Sequence, residues 1–139
     1  MHTITYVSTA RIPYSPQRLL DLLTLCRENN LVHGITGMLL YRGGVFMQAI
    51  EGPKTAVERL YANIRRDPAH TGIITLLDEP VEARDFAAWE MGFADISNLD
   101  MSLVPGFVDF FRQPRNDNEW RGAGSHAKAL LHTFRDRMG

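Results

Sequence analysis

The predicted elements run β-α-β-β-α-β-β, an α+β order that gives one sheet with two helices on one face. Three features of the 139-residue sequence carry that reading. Short apolar runs of strand length alternate with two longer segments of helical spacing. The helical segments open and close on capping and breaking residues. A Gly43-Gly44 pair separates two apolar runs, where a tight hairpin turn fits.

Each element has its own signal. Residues 2–8, HTITYVS, alternate and are rich in β-branched types, so they form strand one. After a turn over residues 11–14, Ser15-Pro16 opens a helix, with Ser15 as N-cap and Pro16 at its first position. Leu19, Leu22, Leu23 and Cys26 form its apolar stripe, and a further step of four puts Asn30 on the same buried line. ITGMLLY, residues 35–41, is strand two; the hairpin then leads into strand three, from Val45 to Gly52. Gly52-Pro53 starts a second helix striped with Val57, Leu60, Tyr61 and Ile64, and Asp67-Pro68 closes it. TGIITLL, residues 71–77, is strand four; the charged run 79–87 is a connection, and WEMGFADI, residues 89–96, is strand five. Beyond it, a short helix follows Pro105, a loop holds RQPRNDNEWRGAGS, and Ala127, Leu130, Leu131, Phe134 and Met138 mark a last amphipathic helix.

The first six elements fit the ferredoxin-like split βαβ pattern, with strands one and three as parallel central neighbours. The expected organisation is a domain over residues 1–97 and a helical extension over 98–139 packed on it. Two helices cover one side of a sheet, so the extension is the expected cover for the other side or an oligomer contact.

Composition excludes several classes. Hydrophobic residues are 45% and charged residues 22%, with net charge -1, which offers no electrostatic footprint for nucleic acid or an acidic membrane. Cys26 is the single cysteine, so no intrachain disulfide forms and a cytoplasmic setting is expected. The N-terminus lacks a signal-peptide pattern, and no apolar run reaches membrane-spanning length. His33, His70, His126 and His132 lack metal-ligand spacing, and neither a Gly-x-Ser-x-Gly elbow nor a P-loop is present.

Strand three, GGVFMQAIEGP in its context, poses a problem: Gln48 lies among apolar residues on both strand faces. An amide left unpaired there costs about 1–3 kcal/mol. Tyr6 on strand one can stand beside Gln48 if both point toward the helices, and Asn30 descends on the same face. Taken alone, a buried glutamine is a satisfied core residue, Tyr6 a strand tyrosine and Asn29-Asn30 a helix C-terminal signal. Their joint spacing says more.

TYVS at 5–8, RENN at 27–30, GITGMLLY at 34–41, FMQAIEGP at 46–53, IRRDPAH at 64–70 and RDFAAWEMGF at 84–93 follow one another in order. With them the sequence resembles the BLUF domain, a blue-light sensor that binds FAD. The resemblance implies that Tyr6 donates an electron and a proton toward excited flavin, and that Gln48 is the switching amide between tyrosine and ring. It implies that Asn30, with Asn29 beside it, holds the ring's polar edge. Ile35 and Ile64 would sandwich the ring, and Asp67 and His70 would stand at the far edge of the pocket. Trp89 and Met91 would report the switch outward along strand five. The residue types suit that chemistry, because a neutral amide both donates and accepts and can exchange the two roles without changing charge.

The sequence departs from the family pattern in the run DPAH, where Ala69 stands at a common arginine position; Arg65 or Arg66 is a candidate substitute. Glu90 replaces a small polar residue. The implied function is photosensory, without an effector enzyme in the same chain, so a protein effector in trans or a homo-oligomer would carry the signal. Two alternatives belong to other classes: a flavin-free adaptor of the same fold, and an acyl-phosphate hydrolase using Arg11, whose loop lacks the glycines of a phosphate cradle.

Overall fold

The computed structural model describes residues 1–87, 92–95 and 125–138. Its elements are β1 (His2–Ala10), α1 (Pro16–His33), β2 (Thr36–Arg42), β3 (Val45–Gly52), α2 (Lys54–Arg66), β4 (His70–Pro80), β5 (Gly92–Asp95) and α3 (Ser125–Met138). The strands form a single five-stranded sheet in the order β4-β1-β3-β2-β5. The α+β, ferredoxin-like class expected from sequence is the one observed.

One expectation is corrected. β1 and β3 are central neighbours, but they run antiparallel rather than parallel, with His2 opposite Gly52 and Thr9 opposite Val45. The hairpin explains this. Gly43 and Gly44 take φ of 54° and 88°, a turn that reverses the chain, so β3 runs against β2. β3 also lies between β1 and β2 in the sheet and is antiparallel to both. β5 joins the far edge parallel to β2.

The helices begin and end as their sequences direct. Ser15 Oγ accepts from the Arg18 amide at 3.2 Å, and Pro16 sits at the first turn of α1. Gly34, with φ of 69°, ends α1 in the left-handed conformation, and its N–H returns to the Asn30 carbonyl. Asp67 caps the end of α2, and its Oδ1 accepts from the Ala69 amide at 2.9 Å. β4 is longer than its apolar core suggested. It runs on through Asp78 and Glu79 to Pro80, because an edge strand exposes charged side chains to water without loss. His2 pairs with Asp78 across that extension.

Period-two alternation divides the core between the sheet's faces. Ile4, Tyr6, Leu39, Tyr41, Phe46 and Ile50 pack with Leu19 and Leu23 of α1 and Val57 and Tyr61 of α2. Met38, Leu40, Met47 and Ala49 face the other way, against Phe86 and Ala127, Leu131 and Phe134 of α3. α3 therefore covers the face that α1 and α2 leave open. The boundary expected at residues 97–98, the helix after Pro105 and the loop before α3 lie outside the described residues. Among the described residues, no helix is long and apolar enough to cross a membrane.

Candidate functional site

The sheet register places Tyr6 of β1 directly opposite Gln48 of β3. Both side chains point to the α1/α2 face and are almost wholly buried, at 4% and 5% exposure. The Tyr6 hydroxyl donates to Gln48 Oε1. Burial pushes the Tyr6 phenol far above its ordinary range, with Cys26 adding to the rise, so the hydroxyl keeps its proton at any physiological pH. The Tyr6 ring tilts against Tyr61 at 5.4 Å between centroids and lies 6.5 Å from the His70 ring. The Tyr61 hydroxyl shares a hydrogen bond with Thr75 Oγ1, which ties α2 to β4 behind Tyr6.

Two cavities share Gln48 as part of their wall. The larger, about 350 Å³, opens between α1 and α2 and is lined by Asn29, Asn30, Asn63, Leu25, Leu60 and Gln48 among others. The smaller, about 70 Å³, lies toward the sheet and is lined by Tyr6, Ser8, Tyr14, Phe46, Gln48 and His70 among others. Leu22, Cys26, Ile64 and Asp67 also line both. The donor and acceptor groups of the larger cavity are neutral amides apart from Asp67, and its walls are aliphatic.

Most of the sequence-derived residues converge here. Tyr6, Gln48, Asn29, Asn30, Ile64, Asp67 and His70 all line one cavity or both. Asn30 is buried and Asn29 exposed, as their positions at the end of α1 require. His70 Nε2 lies 2.8 Å from the Ile64 carbonyl. Ile35 is buried in the core on this face rather than in either cavity lining. Trp89 and Met91 lie outside the described residues. Arg65 stands over the Tyr61 ring and Arg66 donates to the Ala62 carbonyl, so neither takes up a place on the cavity wall.

Several lining residues escaped the sequence reading. Leu22 and Cys26 read as core because both lie on the apolar stripe of α1, which also forms the cavity wall. Burial pushes the Cys26 thiol up to about 11, so it stays protonated beside Tyr6. Asn63 was legible in principle: with Leu60, Ile64 and Asp67 it repeats at helical spacing on one face of α2.

A family model described as sensors of blue light using FAD, BLUF, matches residues 1–92. The chain belongs to the BLUF family. A photoactivated adenylate cyclase subunit beta of Euglena longa is 41% identical over 111 residues, covering 80% of this chain and 13% of that protein. The blue light- and temperature-regulated antirepressor BluF of Escherichia coli (strain K12) is 31% identical over 68% of this chain and 23% of its own. The dark-state structure of BlrB, a BLUF protein, superposes with a TM-score of 0.68 at 32% identity, covering 98% of this chain and 96% of that one. This chain thus spans only a small part of the curated relatives it matches.

BLUF domains bind FAD, and the residues of this cavity fit a flavin. A space of about 350 Å³ falls within the ordinary range of ligand sites, about 300–1,000 Å³. Aliphatic side chains of α1 and α2 line it, which suits a flat apolar ring, together with the amides of Asn29, Asn30, Asn63 and Gln48. Beside Tyr6, Ser8 lines the smaller cavity, and its buried Oγ has no hydrogen-bond partner.

Proposed function

We propose that this BLUF chain is a blue-light receptor whose switch is the Tyr6–Gln48 pair. The observation that carries the reading is the buried Tyr6 hydroxyl donating to Gln48 Oε1 at the wall shared by both cavities. Bound FAD supplies absorption of blue light and a ring able to accept an electron.

The chain's own residues do the rest. Asn29, Asn30 and Asn63 would hold polar groups of the ligand, Ile64 would pack against it with Ile35 in the core on the same face, and Asp67 and His70 would bound the pocket. Tyr6 is the residue positioned to give up an electron and to release its proton along the Oη–Oε1 bond to Gln48. If Oε1 takes that proton while the amide nitrogen gives one of its own to the bound ring, which holds the electron, the Gln48 side chain stays neutral and would present a reversed donor and acceptor sense, as would a rotated amide once the proton has returned to Tyr6. The phenol's raised pKa argues against loss of the proton ahead of the electron, because an isolated phenolate in this setting is strongly disfavoured.

Exchanging one neutral hydrogen bond for another is worth about 0.5–1.5 kcal/mol. Reversing an equilibrium from 1:99 to 99:1 needs about 5.5 kcal/mol. The amide therefore acts with a larger rearrangement, which we assign to strand five, through Trp89 and Met91, and to the helices after it. The output passes to a protein effector in trans or to a second copy of the chain in the cytoplasm, and the chain's role is sensory rather than catalytic.

The test is optical. The expected result is a yellow purified protein whose flavin band moves reversibly toward the red under blue light. Colourless, folded protein would favour the flavin-free adaptor instead, and a yellow protein with no reversible shift would overturn the sensor reading.

A further inference from the structure

Glu51 is a carboxylate at 1% exposure, three residues beyond Gln48 on β3 and on the opposite face of the sheet. Both of its oxygens accept hydrogen bonds. Oε1 accepts from Thr36 Oγ1 at 2.8 Å and from the Phe86 amide at 2.6 Å, and Oε2 accepts from the Asp85 amide at 2.7 Å. Arg84 completes the cluster. It donates to Thr36 Oγ1 at 2.9 Å, to the Gly34 carbonyl at 2.7 Å and to the Glu51 carbonyl at 3.5 Å. Two consecutive backbone amides of the connection between β4 and β5 are thus held by one side chain of the glutamine strand.

Phe86, the residue so held, is buried in one cluster with Met38, Leu40, Met47 and Ala49 of the sheet and Ala127, Leu131 and Phe134 of α3. Its backbone is held where the Asp85 and Phe86 amides donate to Glu51.

We propose that Glu51 is a positioning residue for the light response: its carboxylate pins the lead-in to β5 onto the strand that carries Gln48, and the anionic charge is what makes the pin. The proposal rests on the reading of strand five as the output element. An amide in place of the carboxylate keeps the shape but has one acceptor oxygen. Its NH2 group then opposes the Asp85 N–H or the Phe86 N–H, and the anchor is lost on one side. The flavin cavity lies on the opposite face of the sheet and is left intact.

The test uses the flavin-loaded full chain and its Glu51→Gln variant. Two readouts are taken: dark-state amide exchange over residues 84–87, and the light-minus-dark infrared difference spectrum. In E51Q the exchange rises about tenfold or more, as expected when a protecting bond to a charged acceptor is lost. The visible red shift and the flavin carbonyl bands keep their amplitude, while the strand amide bands fall to about half or less. A purely structural role would lower the melting temperature and leave the amide bands in proportion to the carbonyl bands. Unchanged exchange, or amide bands of wild-type size in E51Q, overturns the proposal. If E51Q yields no folded protein, Glu51→Asp decides. It keeps the charge but reaches one methylene less far, so exchange rises about threefold and wild-type protection contradicts the proposal. A wild-type protein with no light-dependent amide bands defeats the output reading instead, and the dark exchange still decides whether Glu51 is the anchor.

Discussion

Tyr6 and Gln48 face each other across antiparallel β1 and β3, and the phenol donates to the amide oxygen inside the α1/α2 core. Tyr6→Phe removes the donor and leaves Gln48 Oε1 without it. The expected cost is about 1–3 kcal/mol of folding stability, read from urea denaturation of the dark protein. The flavin stays bound, and the light-induced red shift disappears because no hydroxyl remains to exchange with the amide.

Ser8 lines the smaller cavity, and its Oγ has no hydrogen-bond partner. Ser8→Ala should weaken FAD binding by the worth of one neutral hydrogen bond, about 0.5–1.5 kcal/mol, or roughly two- to twelvefold in Kd. Fluorescence titration of flavin-depleted protein measures it, and an unchanged Kd would mean that the hydroxyl does not meet the ligand.

Burial and the nearby Glu51 carboxylate raise the Asp85 pKa from 3.8 to about 6, against the pull of Lys128 and His126 on α3. The folded state therefore binds a proton more tightly than the unfolded chain. The gain is complete below pH 3.8 and is lost as pH rises through about 6. Relative to Asp85→Asn, wild-type stability should rise as pH falls from 7 to 4, as followed by urea midpoints. A constant difference between the two would remove Asp85 as its source. Asp85 is partly exposed, so water moderates the size of the effect.

Leu131 of α3 is fully buried in the core on the far face of the sheet. Leu131→Ala should cost about 2–5 kcal/mol. A cost below about 0.5 kcal/mol, the range of surface substitutions, would mean that α3 does not cover the sheet in solution.

Much of this was readable in the sequence, for identifiable reasons. Ser15-Pro16, Gly43-Gly44 and Asp67-Pro68 act locally, so they mark their elements without tertiary information. Tyr6 and Gln48 were legible as neighbours because period-two alternation fixes the face of each residue and the element order fixes which strands are central. Strand direction failed, because composition carries no sign for parallel or antiparallel pairing; that follows only from tracing the hairpin reversal through the sheet. Cys26 and Leu22 pack against the core as read, but their part in the cavity wall was not legible, because apolar periodicity is the same whether a helix faces core or cavity. Glu51 was invisible: a glutamate at the end of a strand reads as a solvated charge, and its three donors come from residues 36, 85 and 86, distant in sequence.

The central claim is tested most directly by one measurement, the light-minus-dark absorption spectrum of Gln48→Leu loaded with FAD. Leucine is similar in size, so the cavity and the flavin are retained, but it neither accepts from Tyr6 nor reverses a hydrogen bond. The account predicts a yellow protein whose flavin band does not shift under blue light. A reversible red shift of wild-type size in that variant would contradict it.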